Sequence, residues 1–385
     1  MGGSKRKAHS KSRLGCKNCK ARKIKCDEKT PSCSNCTRRQ VTCDFTVGGS
    51  PRPSLSATGL NMTDLELLHN YTAITYLTLA DNLATREFYR TTIVQIGFDC
   101  DYVMRAILAV SSLHLAHNRI GRRDHYQALA IKHQQTASNT AMPLLSSADP
   151  ESAQKLFLFG VMTHYYALGW PREPGDKLFL GTSDFPDWIY FLRGTKALLD
   201  LSGIPESGPL RPLFAHSIER YVLRKGPEAS HSSAHVALTE LTDAIASRPH
   251  IAAAGGGGND LRRIYATAIA ELKKSFGQAE ALRRGAGGGG GGGGGPYEMT
   301  DAFSWVYIVA DDLLPLLRVG AAEAVAVFAY FCVLLWLLEG HWWMQGWGLQ
   351  LMAQAYEMLD EEGRVWIVWA MDEIGYVPPS AVDRM

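Results

Sequence analysis

The chain has 385 residues, of which 46% are hydrophobic and 20% are charged, a balance typical of globular proteins with a sizeable core. The net charge of +2 conceals an asymmetry, because residues 1–46 carry 13 Lys and Arg against 3 acidic residues, a net +10, and the remainder carries −8. This asymmetry predicts a basic head that meets a polyanion and an acidic body that does not. The first residues, MGGSKRKAHSKSR, contain no apolar segment, which argues against a secreted, disulfide-bonded protein.

Residues 1–13 are predicted to form a disordered basic tail. Its five cationic side chains are Lys5, Arg6, Lys7, Lys11 and Arg13. Clusters of this kind are typical of nuclear localisation signals and also hold phosphate groups. The alternative is a solvated tail without a partner. We interpret the tail as a signal for a location in the nucleus.

The segment from Cys16 to Cys43 contains six of the eight cysteines and eight Lys or Arg residues. Zinc prefers four tetrahedral ligands, and structural zinc sites are often all thiolate. One site would leave two of the six sulfurs over, whereas the spacing C-x2-C-x6-C occurs twice and divides the segment into equal halves. Two zinc ions need eight ligand positions, so two sulfurs have to bridge, and the near-symmetry points to Cys16 and Cys33. The six cysteines are Cys16, Cys19 and Cys26, followed by Cys33, Cys36 and Cys43.

Two Zn²⁺ ions are therefore the predicted cofactors. A segment of fewer than 40 residues cannot bury enough apolar surface to fold alone, and a structural zinc contributes on the order of 10 kcal/mol of folding free energy. The nearby Lys and Arg side chains favour the thiolate form that zinc requires. One predicted ligand set is Cys16, Cys19, Cys26 and Cys33, and the other is Cys16, Cys33, Cys36 and Cys43.

The segment resembles the fungal Zn2Cys6 binuclear cluster family of transcription factors. The resemblance rests on the six cysteines, on the basic run Lys20–Lys25, and on Pro31 two residues before the fourth cysteine. It implies a small zinc cluster domain over residues 14–45, in which the first and fourth cysteines bridge. It also implies that the helix after the second cysteine enters the major groove of double-stranded DNA and reads a CGG-type triplet.

Residue roles follow from the same resemblance. By position, Arg22 and Lys23 resemble the base-contacting pair, and Lys20 and Lys25 resemble phosphate contacts. Lys and Arg suit this task because guanine presents two adjacent acceptors, O6 and N7, in the major groove. The alternative for Arg22 and Lys23 is contact with phosphate alone. Pro31 resembles the structural loop proline between the two halves. Arg38 and Arg39, in the second half, are predicted to contact DNA phosphates or to be solvated.

Residues 46–61 are rich in Gly, Pro and Ser and are predicted to be a flexible linker. Many relatives place a heptad coiled coil at this position to form a dimer. This chain shows no sustained heptad. Monomeric binding and a homodimer formed through the body therefore both stay open.

Residues 62–383 are predicted to form one all-α domain. Thr63 is expected to begin the first helix with a capping box that ends at Glu66. Nine consecutive glycines follow residue 286, so residues 247–296 are predicted to be a mobile Gly-rich insertion with one loosely packed helix at Leu261–Leu282. Other helical patterns include Asp101–His117, Asp124–Met142, Pro150–Leu168 and Ala321–Leu338.

The body resembles the fungal regulatory domain found in sterol uptake control-type factors. Segments such as VMRAILAVSSLHLAH (103–117), LLWLLEGHWWMQGW (334–347) and VWIVWAMDEIGYVP (365–378) carry the resemblance. It implies an α-helical regulatory domain that in some relatives senses a sterol. Trp342, Trp343 and Trp347 are the candidate lining of an apolar ligand pocket, and core packing is the alternative.

Together with these patterns, the two resemblances imply a zinc-dependent, sequence-specific transcription regulator of the RNA polymerase II type. Its candidate partners are double-stranded DNA, a second copy of the chain, transcriptional co-regulators and a sterol-like ligand. No catalytic motif stands out, so no enzyme activity is predicted. The alternative function is a lipid-binding or enzymatic helical body that the basic head tethers to chromatin. A membrane-spanning helix needs about 18–20 apolar residues, and the apolar run at residues 324–338 is shorter. This run therefore predicts a buried core helix and no membrane span.

Overall fold

In the computed structural model the chain divides into two compact units, Met1–Leu65 and Glu66–Met385. The basic tail, Pro31 and most of the linker lie outside the described residues, as do the glycines after residue 287. Throughout the described ranges the regular elements are helices, and no strand occurs among them. The described residues are 15–29, 32–41, 43, 61–172, 187–205, 207–225, 232–252, 256–287 and 296–379.

The first unit contains two five-residue helices, α1 (Lys17–Ala21) and α2 (Ser34–Arg38). Each begins directly after a cysteine whose sulfur accepts a hydrogen bond from the amide three residues later, so Cys16 and Cys33 act as N-caps. A side-chain acceptor at this position satisfies an amide that the helix leaves free. The two halves of the cysteine repeat thus start with the same local structure.

The described residues of the second unit are mainly helical, and many of its helices follow one another directly or after a short turn. Turns of 3₁₀ helix lie at Thr75–Thr78, Ile120–Arg122 and Met142–Ser147, and a π-helical turn lies at Phe88–Thr92. The helices are α3 (Met62–Ala73), α4 (Leu83–Glu87), α5 (Ile93–Asp99), α6 (Asp101–Asn118), α7 (Arg123–Ala141), α8 (Pro150–Gly169), α9 (Asp187–Ser202), α10 (Arg211–Arg224), α11 (Ser233–Ala246), α12 (Pro249–Ala252), α13 (Gly256–Gly287), α14 (Met299–Arg318), α15 (Ala322–Trp336), α16 (Trp347–Met358), α17 (Glu361–Trp366) and α18 (Val368–Ile374).

Helix α15 lies at the centre of the body. Thirteen of its fifteen residues are buried, and it packs against α13, α14, α16, α17 and α18. A helix that is apolar on every side has to be covered all round, which explains the unbroken apolar run in the sequence. Over the described residues, no helix is long and apolar enough to cross a membrane.

The first helix of the body begins with a different cap from the predicted one. Asn61 Oδ1 accepts hydrogen bonds from the amides of Thr63 (3.1 Å) and Asp64 (3.3 Å). Helix α3 therefore starts at Met62, and Thr63 lies inside its first turn. Asn and Thr are both good N-caps, so the sequence alone did not discriminate between the two positions.

The predicted mobile insertion differs from the structure over residues 256–287, which form the long helix α13. Its apolar stripe has the helical spacing that one buried face requires, and Trp305 Nε1 donates to the carbonyl of Ala268 at 2.9 Å. This part of the insertion is a core element and not a loosely packed one. Its buried side chains include Tyr265, Ala268, Ile269, Leu272, Ala279 and Leu282.

A buried ionic network joins α10, α13 and α14. The carboxylate of Asp301, whose side chain is completely buried, accepts bonds from Arg220 Nε (2.9 Å) and Gln278 Nε2 (2.6 Å). The amide of Glu298 donates to it at 2.8 Å, and a second guanidinium nitrogen of Arg220 also donates. The carboxylate is therefore fully satisfied, as a buried charge has to be.

Candidate zinc centre and nucleic-acid interface

The six cysteines of the repeat come together as one buried cluster. All are at most 2% exposed. Their sulfurs form two overlapping groups of four, in which the sulfurs of each group lie within 4.8 Å of one another. Cys16 and Cys33 belong to both groups, and the outer pairs are Cys19 with Cys26 and Cys36 with Cys43.

The sulfur spacing fits zinc. Tetrahedral coordination at a zinc–sulfur distance of about 2.3 Å places neighbouring sulfurs about 3.8 Å apart. The sulfur of Cys16 lies 3.7 Å from those of Cys33 and Cys36, and the sulfur of Cys19 lies 3.6 Å from that of Cys33. The cluster is thus able to bind two zinc ions, with Cys16 and Cys33 as the shared ligands.

Burial and hydrogen bonding act in opposite directions on these thiols. Desolvation raises the pKa of Cys16, Cys19 and Cys36. Desolvation also acts to raise the pKa of Cys33, but hydrogen bonds from the Cys36 amide and from neighbouring thiols outweigh it and lower that pKa to about 6. Zinc binding deprotonates its thiol ligands outright, so the metal is what stabilises charged sulfur in this desolvated cluster.

Hydrogen bonds outside the sulfurs tie the two halves together. The amide of Ser34 donates to Asp27 Oδ1 at 3.1 Å, and its hydroxyl donates to Oδ2. The hydroxyl bond is the main reason why the pKa of Asp27 is lowered. Asn35 Nδ2 donates to the carbonyl of Lys25 at 2.8 Å. The sequence pattern contained no signal for these contacts, because they join residues of different halves.

Each half ends its helix in the same way, with a non-glycine residue in the left-handed region. Lys23 has φ 56° and Gln40 has φ 55°, and each lies seven residues after the first cysteine of its half. In the first half the amide of Ile24 donates to the carbonyl of Cys19 at 3.1 Å, and the equivalent bond closes the second half at 3.2 Å. This is a Schellman-type C-cap, which terminates a helix.

The predicted base-contacting pair therefore lies at the end of the helix and not within it. Arg22 is the C-cap of α1, and Lys23 is the left-handed residue that follows. Both side chains are exposed. Among the cluster residues that the structure describes, no ion pair holds either of them. Cations are favoured near the carboxyl end of a helix, so the position suits both charges.

The surface of the cluster is strongly cationic. Only two acidic side chains, Asp27 and Glu28, lie among the described residues 15–43, and Asp27 is engaged by Ser34. Lys17 was not among the predicted contacts, although its spacing of three residues from Lys20 on α1 is a signal for a shared helix face. The exposed basic side chains are Lys17, Lys20, Arg22, Lys23, Lys25, Lys29, Arg38 and Arg39.

In the body, the indole N–H groups of the three predicted pocket tryptophans all donate hydrogen bonds to other parts of the protein. Trp342 donates to Thr78 Oγ1 at 2.9 Å, and Trp343 donates to the carbonyl of the same threonine at 3.0 Å. Trp347 donates to the carbonyl of Leu168 at 2.8 Å. Buried indoles usually find such partners. The three side chains therefore connect distant parts of the body through hydrogen bonds, in addition to contributing apolar surface.

Two of the three tryptophans, Trp342 and Trp343, lie beside different cavities. Trp342 lines a cavity of about 220 Å³, whereas Trp343 lines a separate one of about 40 Å³. Trp347 lines neither of these. A volume of about 40 Å³ suits water, so Trp342 retains the strongest case for ligand contact.

A buried histidine stacks on Trp342. Asn70 Nδ2 donates to Thr75 Oγ1 at 2.9 Å, so the threonine hydroxyl directs its own proton to His114 Nδ1, 2.9 Å away. The imidazole lies 5.2 Å from the Trp342 ring in a stacked arrangement. Burial, and secondarily the neighbouring His117, lower the pKa of His114 to about 4. The ring is therefore neutral at pH 7.

We expect the body to lose stability as the pH falls from 6.5 to 4. In this window His114 takes up a proton in the unfolded chain but not in the folded one, so the free energy of unfolding declines with pH, by up to about 3 kcal/mol. His164, whose pKa burial also lowers to about 4, acts in the same direction. Urea unfolding can be followed by tryptophan fluorescence, because all nine tryptophans lie in the body.

The His114→Asn variant is the matched comparison, since asparagine offers a non-titrating acceptor near the position of Nδ1. It should unfold with a shallower dependence of free energy on pH than the parent chain. Equal slopes for the two proteins would contradict the assigned protonation state.

Comparison with known proteins agrees with this geometry. Residues 14–48 match the model of the fungal Zn(2)-Cys(6) binuclear cluster domain. A Zn(2)-C6 fungal-type transcription factor of Gibberella zeae is 23% identical over an alignment of 420 residues, which covers 88% of this chain and 80% of that protein. The Zn(2)-C6 fungal-type transcription factor afumD of Aspergillus fumigatus is 29% identical over 128 residues, which covers 29% of this chain and 34% of that protein.

Proposed function

We propose that this chain, which belongs with the fungal Zn(2)-Cys(6) transcription factors through its cluster domain at residues 14–48, is a nuclear regulator of transcription by RNA polymerase II. In this proposal the zinc cluster reads a CGG-like triplet in the major groove, and the helical body regulates that binding. Both relatives described above are named as transcription factors, and accordingly we propose no enzyme activity.

The observation that carries the proposal is the combination of a buried six-sulfur cluster, spaced to hold two zinc ions, with an exposed cationic surface. Two zinc ions bound there would hold α1 and α2 in a fixed relation, so the basic side chains on these helices would need little further ordering to bind DNA. Phosphate neutralisation supplies most of the affinity. Sequence preference then needs a few side chains that reach base edges, and Arg22 and Lys23, exposed at the end of α1, are our candidates.

Selection of bound sequences from a random duplex pool tests this function. The zinc-loaded full-length protein should enrich duplexes that contain a CGG-like triplet. A single triplet would indicate a monomer, and a paired motif would indicate a homodimer and give its spacing. Enrichment of no motif at moderate salt would contradict sequence-specific reading.

Replacing Lys23 with alanine should relax the preference for the triplet, whereas replacing Lys25 should weaken all sequences alike. A base contact is worth about 1–3 kcal/mol of discrimination. A phosphate contact contributes about 1 to the slope of log affinity against log salt. The measurement is binding to a CGG duplex and to a scrambled duplex across a salt series.

Gln40→Ala is the matched control for the Lys23 variant. Both residues occupy the same left-handed backbone position, with φ of 55° and 56°, so both substitutions carry the same backbone cost. If Lys23→Ala loses affinity equally on both duplexes, or behaves like Gln40→Ala, then Lys23 does not read a base.

For the body we propose a regulatory role that includes contact with transcriptional co-regulators, formation of a homodimer or binding of a sterol-like ligand. The cavity beside Trp342, of about 220 Å³, supports a ligand role. It is smaller than the usual pocket for a drug-sized molecule, about 300–1,000 Å³, so the sterol part of the proposal requires the pocket to widen. Native mass spectrometry of the purified chain should then find a co-purified lipid, and a lipid-free spectrum with unchanged DNA binding would contradict it.

A further inference from the structure

The segment that leaves α1 and returns to the cysteine cluster carries Lys25, which lies between two anchored neighbours. On one side, the amide of Ile24 donates to the carbonyl of Cys19 at 3.1 Å. On the other side, Cys26 is buried and belongs to one of the four-sulfur groups. The Lys25 side chain itself is exposed, so its position relative to the cluster depends on how its own backbone is held.

The second half of the cluster holds that backbone. Asn35, in the first turn of α2, donates from Nδ2 to the carbonyl of Lys25 at 2.8 Å. Beyond Cys26, the carboxylate of Asp27 accepts from the amide of Ser34 at 3.1 Å and from its hydroxyl. Two adjacent residues of α2 therefore bind the returning segment on either side of Cys26. Of these contacts, the Asn35 bond is the one that the carbonyl of the lysine accepts.

The Asn35 bond can be removed without removing a zinc ligand, because its acceptor is a carbonyl oxygen and its donor is not a cysteine. A hydrogen bond of this kind changes a conformational equilibrium by a net factor of about three to ten. Without the bond, Lys25 spends more time outside the conformation that it has here. A partner that requires this conformation then binds more weakly, by up to the same factor.

We propose that Asn35 is a positioning residue for DNA binding, which raises the affinity by holding Lys25 where its charge meets a phosphate. This inference rests on the proposed reading of duplex DNA. Asn35 acts through the lysine, so its loss changes the free protein and leaves the number of phosphate contacts in the complex unchanged. Lys25 differs in this respect, because its charge releases counterions from the DNA.

The Asn35→Ala variant should bind a CGG duplex about fivefold more weakly than the parent chain. Its slope of log affinity against log salt should be unchanged, whereas Lys25→Ala reduces that slope by about 1. In the Lys25→Ala background, the Asn35 substitution should add less than about twofold, because the side chain that it positions is absent. The measurement is a double-mutant cycle on zinc-loaded full-length proteins across a salt series. An equal loss in both backgrounds, or a lower salt slope for Asn35→Ala, would overturn the proposal.

Trypsin provides a test without DNA, because it cleaves after lysine at the same carbonyl that Asn35 binds. The initial rate of cleavage between Lys25 and Cys26, followed by mass spectrometry, should be about fivefold higher for Asn35→Ala, since proteolysis follows the population of the open form. Cleavage after Arg38 should not change. Equal rates of cleavage after Lys25 in the parent and the variant would show that Asn35 does not hold the lysine, whatever the outcome of the DNA measurements.

Thr37→Ala is the matched control on the same helix. The Thr37 hydroxyl donates to Ser32 Oγ and to the carbonyl of Cys33, both at 3.2 Å, so its loss affects contacts within the second half. DNA affinity and cleavage after Lys25 should match the parent. If Thr37→Ala weakens DNA binding as much as Asn35→Ala, the effect is a general loosening of α2 and not positioning of the lysine.

Elemental analysis separates positioning from a role in the cluster itself. The parent, Asn35→Ala and Thr37→Ala should each retain about two zinc ions. Loss of zinc from Asn35→Ala would make Asn35 part of the metal site's fold and would contradict the proposed role. A parent chain that binds no duplex would instead contradict the DNA-reading function, and the trypsin rates would still report whether Asn35 holds Lys25.

Discussion

Replacing Cys33 with serine should remove both zinc ions from the chain and abolish its binding to DNA. The sulfur of Cys33 belongs to both four-sulfur groups and also caps α2. Its loss leaves each zinc with an incomplete thiolate set, and a structural zinc contributes on the order of 10 kcal/mol of folding free energy. Elemental analysis of the purified protein should return about two zinc ions for the parent chain and close to none for the variant.

Cys43→Ser provides the comparison within the cluster, because Cys43 belongs to one group only. It should retain about one zinc ion, and Cys100→Ala, outside the cluster, should retain about two. Tryptophan fluorescence reports the body alone and should be the same for all of these chains. A Cys33→Ser protein that keeps as much zinc as Cys43→Ser would show that Cys33 does not bridge.

Asp301→Ala should destabilise the body by about 3–5 kcal/mol, the usual cost of removing one partner from a buried ion pair. The substitution leaves Arg220, whose side chain is 8% exposed, without its carboxylate. It also removes one of the two acceptors of Gln278 Nε2, which donates to the Arg220 carbonyl as well, and the side-chain acceptor for the amide of Glu298. Urea unfolding followed by tryptophan fluorescence measures the loss.

Asp311→Ala is the matched control, since it makes the same chemical change on the same helix, α14. The Asp311 side chain is 63% exposed and lies 3.5 Å from Lys196. Exposed pairs of this kind contribute about 0–1 kcal/mol. Similar losses of stability for the two variants would mean that the buried ionic network around Asp301 does not stabilise the packing of α10, α13 and α14.

Local periodicity predicted several helices of the body closely. The pattern at Asp101–His117 corresponds to α6, and the pattern at Pro150–Leu168 corresponds to α8, each within one residue at either end. In α8 the start is also marked by the capping box of Asp149 and Ser152. The start and end signals of both helices lie in their local sequence, so their bounds can be predicted without tertiary information. In α6 these signals are Asp101 in the first turn and His117 in the last turn.

Helix α14 was not predicted, although it contributes Trp305 to the core. Its middle is the run Trp305–Ala310, rich in aromatic and β-branched residues that also suit strands, and Pro315 lies inside its last turns. The structure accommodates the proline because it lies on the exposed face, where water can reach the carbonyl that loses its partner. Packing against α13 outweighs local propensity here.

The sequence by itself determined the zinc centre, because the ligands of a metal cluster are specified by residue type and spacing within about thirty residues. It also determined the helical class of the body through apolar periodicity. Only the tertiary structure decided that helix α13 contributes Tyr265–Leu282 to the core, and that Lys23 lies beyond α1. Each of these depends on contacts between residues far apart in the chain, or on a backbone angle that no side-chain pattern encodes.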